Sequence, residues 1–112
     1  MRVIELGEKA ESRIIRFDRI KPFKNICKVT GVEEFCNVVT EYKVGGGKVL
    51  DICDYRKFFE RTFNELIEDI AQKVYKEIMT SAEPEWLRVT VYLEGNEHLT
   101  DWSCTIDSRE NG

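Results

Sequence analysis

Hydrophobic and polar positions alternate along residues 35–44. Cys36, Val38, Thr40, Tyr42 and Val44 share one parity, and Asn37, Glu41 and Lys43 share the other. This period of two predicts a half-buried strand. Three glycines follow, Gly45, Gly46 and Gly47, and they permit a tight reversal through positive φ. Residues 48–53 are then expected to return as the hairpin partner. From residue 55 to residue 79 the period changes. Phe58, Phe59, Phe63, Leu66, Ile67, Ile70, Val74, Ile78 and Met79 recur at three and four, the stripe of an amphipathic helix. Asp54 is placed to cap its start. Thr62-Phe63-Asn64-Glu65 matches the capping box T-x-x-E, so the segment reads as one helix or as two, the second restarting near Thr62. Pro84 closes the helical region. Residues 86–94 alternate again, with Leu87, Val89, Val91 and Leu93 on one face. A turn is expected at 95–98. Residues 99–106 then alternate with Trp102, Cys104 and Ile106 on one side, which completes a second hairpin.

The first part of the chain is less regular. Residues 2–6 are compatible with an edge strand or an arm, and residues 7–11 with a polar loop. Residues 13–17 are compatible with a strand. Pro22 argues against regular structure through Phe23, and residues 25–31 read as a loop ending in Thr30-Gly31. Residues 107–112 are expected to form a frayed tail. Strand, strand, helix or helices, strand, strand is the order of an α+β fold, an antiparallel sheet with helices on one face. The chain reads as one domain over residues 1–112, with residues 1–25 as an extension and basic segment. Exposed sheet edges call for a partner, and association of several copies into an oligomeric barrel would remove them.

The composition, 42% apolar and 34% charged, is that of a folded soluble chain. No apolar run approaches the roughly 20 residues of a membrane span, and no basic start plus apolar run marks a secretory signal. A cytoplasmic location without a membrane partner is the expectation. The four cysteines contain no C-x-x-C pair, and the single His98 has no partner at ligand spacing, so neither a metal site nor disulfides are expected. Cys36, Cys53 and Cys104 fall in or beside strand patterns and read as core fillers. The net charge of -4 is uneven: residues 1–28 hold eight Lys/Arg against four Asp/Glu, and the remainder holds nine against seventeen. Arg13, Arg16, Arg19, Lys21, Lys24 and Lys28 precede or touch the first cysteine. They form either an ordinary solvated face or an approach for the phosphates of a nucleotide or RNA.

That first cysteine opens Cys27-Lys28-Val29-Thr30-Gly31-Val32-Glu33-Glu34-Phe35. A thiol lies seven residues ahead of a carboxylate across a Thr-Gly turn. Such a pair suits addition chemistry, with thiolate attack on an electrophilic carbon and an acid to supply the proton. Cys27 could equally be a small buried hydrophobe. The register across the turn leaves Glu33 and Glu34 both open as the proton donor. Lys24 and Lys28 are candidates for the positive charge that would favour thiolate.

This stretch resembles the C-P-V-T-G-x-P-D-[FW] motif of the 7-cyano-7-deazaguanine reductase family (QueF). Phe63-Asn64-Glu65 is similar to that family's F-H-E motif, and Glu83-Pro84-Glu85-Trp86-Leu87-Arg88-Val89 to its P-x-[YW]-[IL]-x-V entry to the third strand. The resemblance runs from about residue 27 to about residue 106. It implies the tunnelling fold, ββααββ, whose members bind purine or pterin rings between subunits of a homo-oligomer. It implies that Cys27 attacks the nitrile of 7-cyano-7-deazaguanine to form a thioimide, that Glu34 protonates the nitrile nitrogen, and that Glu65, beside Asn64, receives the N–H edge of the base. Glu65 could instead be the capping-box acid. The reductases' E-S-K-S and S-F-R-N stretches, which the resemblance ties to nicotinamide binding, are missing here. The chain therefore looks more like the short QueF-like amidinotransferases. These use ammonia rather than hydride and make the amidine of archaeosine on 7-cyano-7-deazaguanine in tRNA. On that reading no cofactor is expected. The alternatives are an NADPH-dependent nitrile reductase of queuosine biosynthesis and a purine- or pterin-binding member without catalysis.

Overall fold

The alternating stretch forms the central strand of the protein. The computed structural model describes residues 1–95 and 102–110. In chain order the elements are β1 (Val3–Glu5), β2 (Ile14–Phe17), β3 (Phe23–Ile26), β4 (Glu33–Lys43), β5 (Lys48–Leu50), α1 (Ile52–Lys57), α2 (Ile67–Ala82), β6 (Trp86–Gly95) and β7 (Ser103–Asp107). Short 3-10 turns lie at Gly7–Lys9 and Ser108–Glu110. The main sheet is antiparallel in the order β2-β4-β6-β7, with β3 also paired to β4. Cys36, Val38, Thr40, Tyr42 and Val44 are all fully buried, as are Leu87, Val89 and Val91. They meet the apolar stripe of α2, Ile67, Ile70, Ala71, Val74, Ile78 and Ala82. Sheet face and helix stripe thus close one core, as their two periods predict.

Several expectations are corrected. β5 does not return against β4. It pairs with β1 in a separate two-stranded ladder, because both edges of β4 are taken: β6 lies on one side, and β2 and β3 share the other. The glycines turn the chain away instead of doubling it back. Gly46 and Gly47 have positive φ. A Cβ on Gly47 would lie 2.5 Å from the Gly7 Cα, so only glycine fits that crossing. Strands form at Val3–Glu5 and Ile14–Phe17, as their apolar residues suggest, while a further strand, Phe23–Ile26, reaches into the stretch expected to be a loop. Pro22 does not disrupt Phe23, which begins β3. The interruption is residues 18–22, where the amide of Asn37 holds both the N–H and the C=O of Ile20, at 3.0 and 2.8 Å.

The helical region is two helices, but the second restarts at Ile67, not near Thr62, and runs to Ala82. The capping box is not used: the N-cap is Leu66, with no side-chain cap. Phe63 is committed elsewhere, its N–H donating to the Lys24 C=O (2.9 Å) and its C=O accepting from Ile26 N–H (2.8 Å). Asp51, not Asp54, caps α1 by accepting from the Cys53 N–H. An aromatic cluster fixes the break between helices. Phe23 lies 5.1 Å from Phe59 and 5.3 Å from Phe63, and Tyr55 lies 5.3 Å from Phe59, between ring centroids. Of the cysteines expected in the core, Cys36 is buried, Cys104 is half-buried and Cys53 is exposed on the first turn of α1. The expected tail is tied down through residue 110. Asp107 is buried in β7 and accepts from the Arg109 guanidinium at 2.8 and 3.0 Å, while Arg109 covers the Trp86 ring. The turn expected at 95–98, with His98, and the first part of the last strand lie outside the described residues from 96 to 101. Among the described residues no helix is long and apolar enough to cross a membrane.

Candidate active site

Cys27 stands immediately after β3, at the mouth of a closed turn. Its N–H donates to the Val32 C=O (2.9 Å), and its C=O accepts from the Gly31 N–H (2.8 Å). Gly31 has φ +72, the left-handed conformation that the reversal requires and that glycine adopts without strain. Thr30 Oγ1 accepts from the Val32 N–H at 3.2 Å, leaving its own proton to donate. The Thr30 hydroxyl first, and then the N–H groups of Thr30 and Val29, hold the Cys27 thiol below its ordinary range; burial and the Glu34 carboxylate pull the other way. The activating groups are therefore the turn's own donors. Lys28 is exposed, and Lys24 is engaged by Glu33 at 2.9 Å, so the turn and not the lysines favours thiolate.

Across the ladder, Asn25 faces Glu34 and Ile26 faces Glu33. Paired residues on neighbouring strands point the same way. Glu34 therefore shares the face of Asn25, and with it the parity of Cys36, Val38 and Thr40. Glu34 is 1% exposed and Asn25 fully buried, whereas Glu33 is exposed. The choice between the two acids is thus one of orientation: Glu34 lies on the thiol's side and Glu33 on the outer side with Lys24. Glu34 also adds to burial in pushing the neighbouring Cys36 up to about 12. The two buried thiols of this region are consequently separated in reactivity.

Asn25 joins the parts. Its Nδ2 donates to Glu34 Oε1 at 2.7 Å and to the Glu65 C=O at 2.8 Å, and its Oδ1 accepts from the Glu65 N–H at 3.0 Å. One amide thus fastens the segment between the helices to the strand that carries Cys27. The Phe63 bridge beside it completes the docking. The Glu65 side chain pairs through Oε1 with Lys73 of α2. Its Oε2 is buried with no hydrogen-bond partner among the described residues, an acceptor left for a ligand donor. Asn64 is exposed, and the bonds of Asn25 pass it by. The Asn25 amide thus links the strand before Cys27, the Glu34 carboxylate and the Glu65 backbone, with Asn64 exposed beside Glu65. Asn25 and Thr30 were missed in the sequence, although Asn25 stands between Phe23 and Cys27 on the buried parity of β3.

The turn's role is testable. In a Cys53→Ser background, Thr30→Val removes the leading donor to the thiol. The pH midpoint of iodoacetamide alkylation at Cys27 is expected to move upward, and Thr30→Ser to restore it. An unchanged midpoint in Thr30→Val would mean that the hydroxyl does not act on the sulfur.

No protein-family model matches the chain, and no curated protein matches it in sequence. Solved structures do. A crystal structure of an archaeosine synthase QueF-Like in the apo form superposes with a TM-score of 0.72 at 20% identity, covering 85% of this chain and 92% of that one. A protein from Vibrio cholerae, assigned as a dihydroneopterin aldolase (FolB), superposes with a TM-score of 0.67 at 15% identity, covering 87% of this chain and 97% of that one. The chain has the tunnelling fold, α+β with an antiparallel sheet and two helices.

Proposed function

We propose that the protein is a thioimide-forming enzyme that acts on the nitrile of 7-cyano-7-deazaguanine, carried in tRNA, and converts it with ammonia to the amidine of archaeosine. The observation that carries the reading is the buried amide of Asn25, which ties the Cys27 strand and the Glu34 carboxylate to the Glu65 backbone. The likeness to an archaeosine synthase QueF-Like structure supports the substrate class. In the first step the Cys27 sulfur bonds to the nitrile carbon. The thiol proton passes by way of Glu34 to the nitrile nitrogen, giving the thioimide. In the second step ammonia bonds to the same carbon and the carbon–sulfur bond breaks. The thiolate leaves and the amidine carries all the atoms of nitrile and ammonia. Glu65 Oε2 accepts the N–H edge of the base, an assignment that suits a buried acceptor with no internal partner. Ile26, Val29 and Phe35 leave an apolar rim exposed around the thiol turn. A second copy of the chain covering that rim would complete the site in a homo-oligomer, and light scattering should then find more than one subunit.

Intact-protein mass after mixing with the free base, or with tRNA carrying it, tests the capture. The gain of one base, released on adding ammonia, supports the reading. Release by NADPH in place of ammonia would assign the reductase reaction, and binding without any adduct would assign a ligand-binding role. Glu65→Ala is expected to weaken base affinity by about 1–3 kcal/mol, the cost of leaving ligand donors unpaired. Calorimetric titration with the base measures it, and an unchanged affinity would remove Glu65 from the site.

A further inference from the structure

A concavity lies beside the aromatic cluster, and none of the thiol turn's own residues lines it. It encloses about 420 Å³ between the 18–22 interruption and the end of α1, and Lys21, Lys24, Arg56 and Arg61 line it with a single acid, Glu60. Phe23 and Phe59, both nearly fully buried, supply its apolar lining. Lys24 is already paired with Glu33. Lys21 and Arg56 are exposed and have no carboxylate partner among the described residues. The Arg61 guanidinium lies 4.6 Å from the centroid of Phe58 and 4.4 Å from that of Phe63. Those rings hold it by cation-π attraction without consuming its N–H donors. Arg61 also lines an adjoining hollow of about 390 Å³ with Lys76, Glu77 and Lys73, the last already paired with Glu65.

The chain carries a net charge of -4, and three of the six cations from Arg13 to Lys28 are paired with carboxylates. Arg16 meets Asp18 and Glu41, and Arg19 meets Glu94. Cations left uncompensated around one hollow repel each other, and an anion placed between them relieves that repulsion. Arginine forks match phosphate oxygens. We propose that the hollow rimmed by Lys21, Arg56 and Arg61 binds a phosphate group of a nucleotide, either free or within an RNA strand. This does not depend on the reaction at Cys27.

The experiment uses the full chain, a fluorescein-labelled single-stranded RNA followed by anisotropy, and titrations with guanosine monophosphate and guanosine. Lys21→Ala/Arg56→Ala removes two exposed cations, so the fold is retained, which a melting curve verifies. The double variant is expected to bind roughly tenfold or more weakly than wild type. Its dependence of log affinity on log salt should flatten by about one for each phosphate no longer neutralised. Lys9→Ala, an exposed cation on the Gly7–Lys9 turn, should change neither quantity. Saturable binding of the monophosphate but not the nucleoside, abolished in the double variant, supports a free nucleotide as the source. Variant-sensitive binding of the RNA alone supports a strand. Absence of both, or binding that the double variant leaves intact, overturns the proposal. Capture of the free base by Cys27 is read separately by mass, so the failure of one site does not imitate failure of the other.

Discussion

Replacement of Cys27 by alanine is expected to eliminate the covalent adduct with 7-cyano-7-deazaguanine while leaving the protein folded. The side chain contributes one small buried group at the end of β3. The turn around it is held by backbone bonds from Gly31 to Cys27 and from Cys27 to Val32, and alanine keeps both. Removing the sulfur therefore removes the nucleophile and little packing. The control is internal, because Cys36 is also buried and close to Glu34. Burial, reinforced by the Glu34 charge, pushes that thiol up to about 12, so it stays protonated at neutral pH and should not substitute for Cys27. Mass analysis of the two proteins after mixing with the base decides the point. An adduct that persists in Cys27→Ala would locate the nucleophile elsewhere and end the proposed mechanism.

Asn25→Ala is expected to give the largest loss of stability among single changes around the site. The amide makes three hydrogen bonds, all within 3.0 Å, to the Glu34 carboxylate and to both backbone groups of Glu65. Alanine deprives these groups of those bonds in a region where water does not readily replace them. At about 1–3 kcal/mol for each buried group so deprived, the loss should be on the order of 3 kcal/mol or more. For a domain of this size that lowers the melting temperature by roughly 10 °C or more. Base affinity should fall together with stability, because the segment bearing Glu65 loses its attachment to the Cys27 strand. Asn25→Asp separates electrostatics from volume. It opposes a second carboxylate to Glu34, so its stability deficit relative to wild type should be greater at pH 8 than at pH 4, where a protonated carboxyl can donate. Thermal melts at the two pH values measure this. Equal deficits, or a melting temperature near that of wild type in Asn25→Ala, would show that the amide does not join the two elements.

The hydrophobic pattern alone determined the central framework. The parity of Cys36 through Val44, the alternation of Leu87 through Leu93, and the helical recurrence from Ile67 through Ile78 are local consequences of side-chain geometry in strands and helices. The observed burial follows each of them, except that Asn37, on the outer parity of β4, is also fully buried where its amide binds Ile20. The Thr30-Gly31 turn was legible for the same reason, since a φ of +72 is a property of glycine itself. Strand pairing was legible only in part: the expected second hairpin forms as β6 against β7, but the first does not. Adjacency in the chain suggested that β5 would return to β4, but which strand fills an edge depends on all the competing strands together, and β2 and β3 take that edge.

The site divides in the same way. Cys27 and its spacing to the acids could be read from the chain, and the resemblance to known motifs drew attention to Glu34 and Glu65. That Glu34 turns inward and Glu33 outward was also latent in the sequence, since Glu34 continues the parity of Cys36. Asn25 stands on the buried parity of β3, but nothing local names its partners. A buried amide is recognised by the groups it satisfies, and these lie 9 and 40 positions away. The start of α2 was decided in the same manner. Thr62 and Glu65 satisfied a local capping rule, but Phe63 gained two backbone bonds to β3 and an aromatic cluster that the local rule does not include. Local periodicity thus determined which residues are buried and where the thiol turn forms. Only tertiary structure decided which strands fill the edges of β4, where the second helix begins and which polar groups meet, because those outcomes depend on contacts between segments that no short stretch of sequence contains.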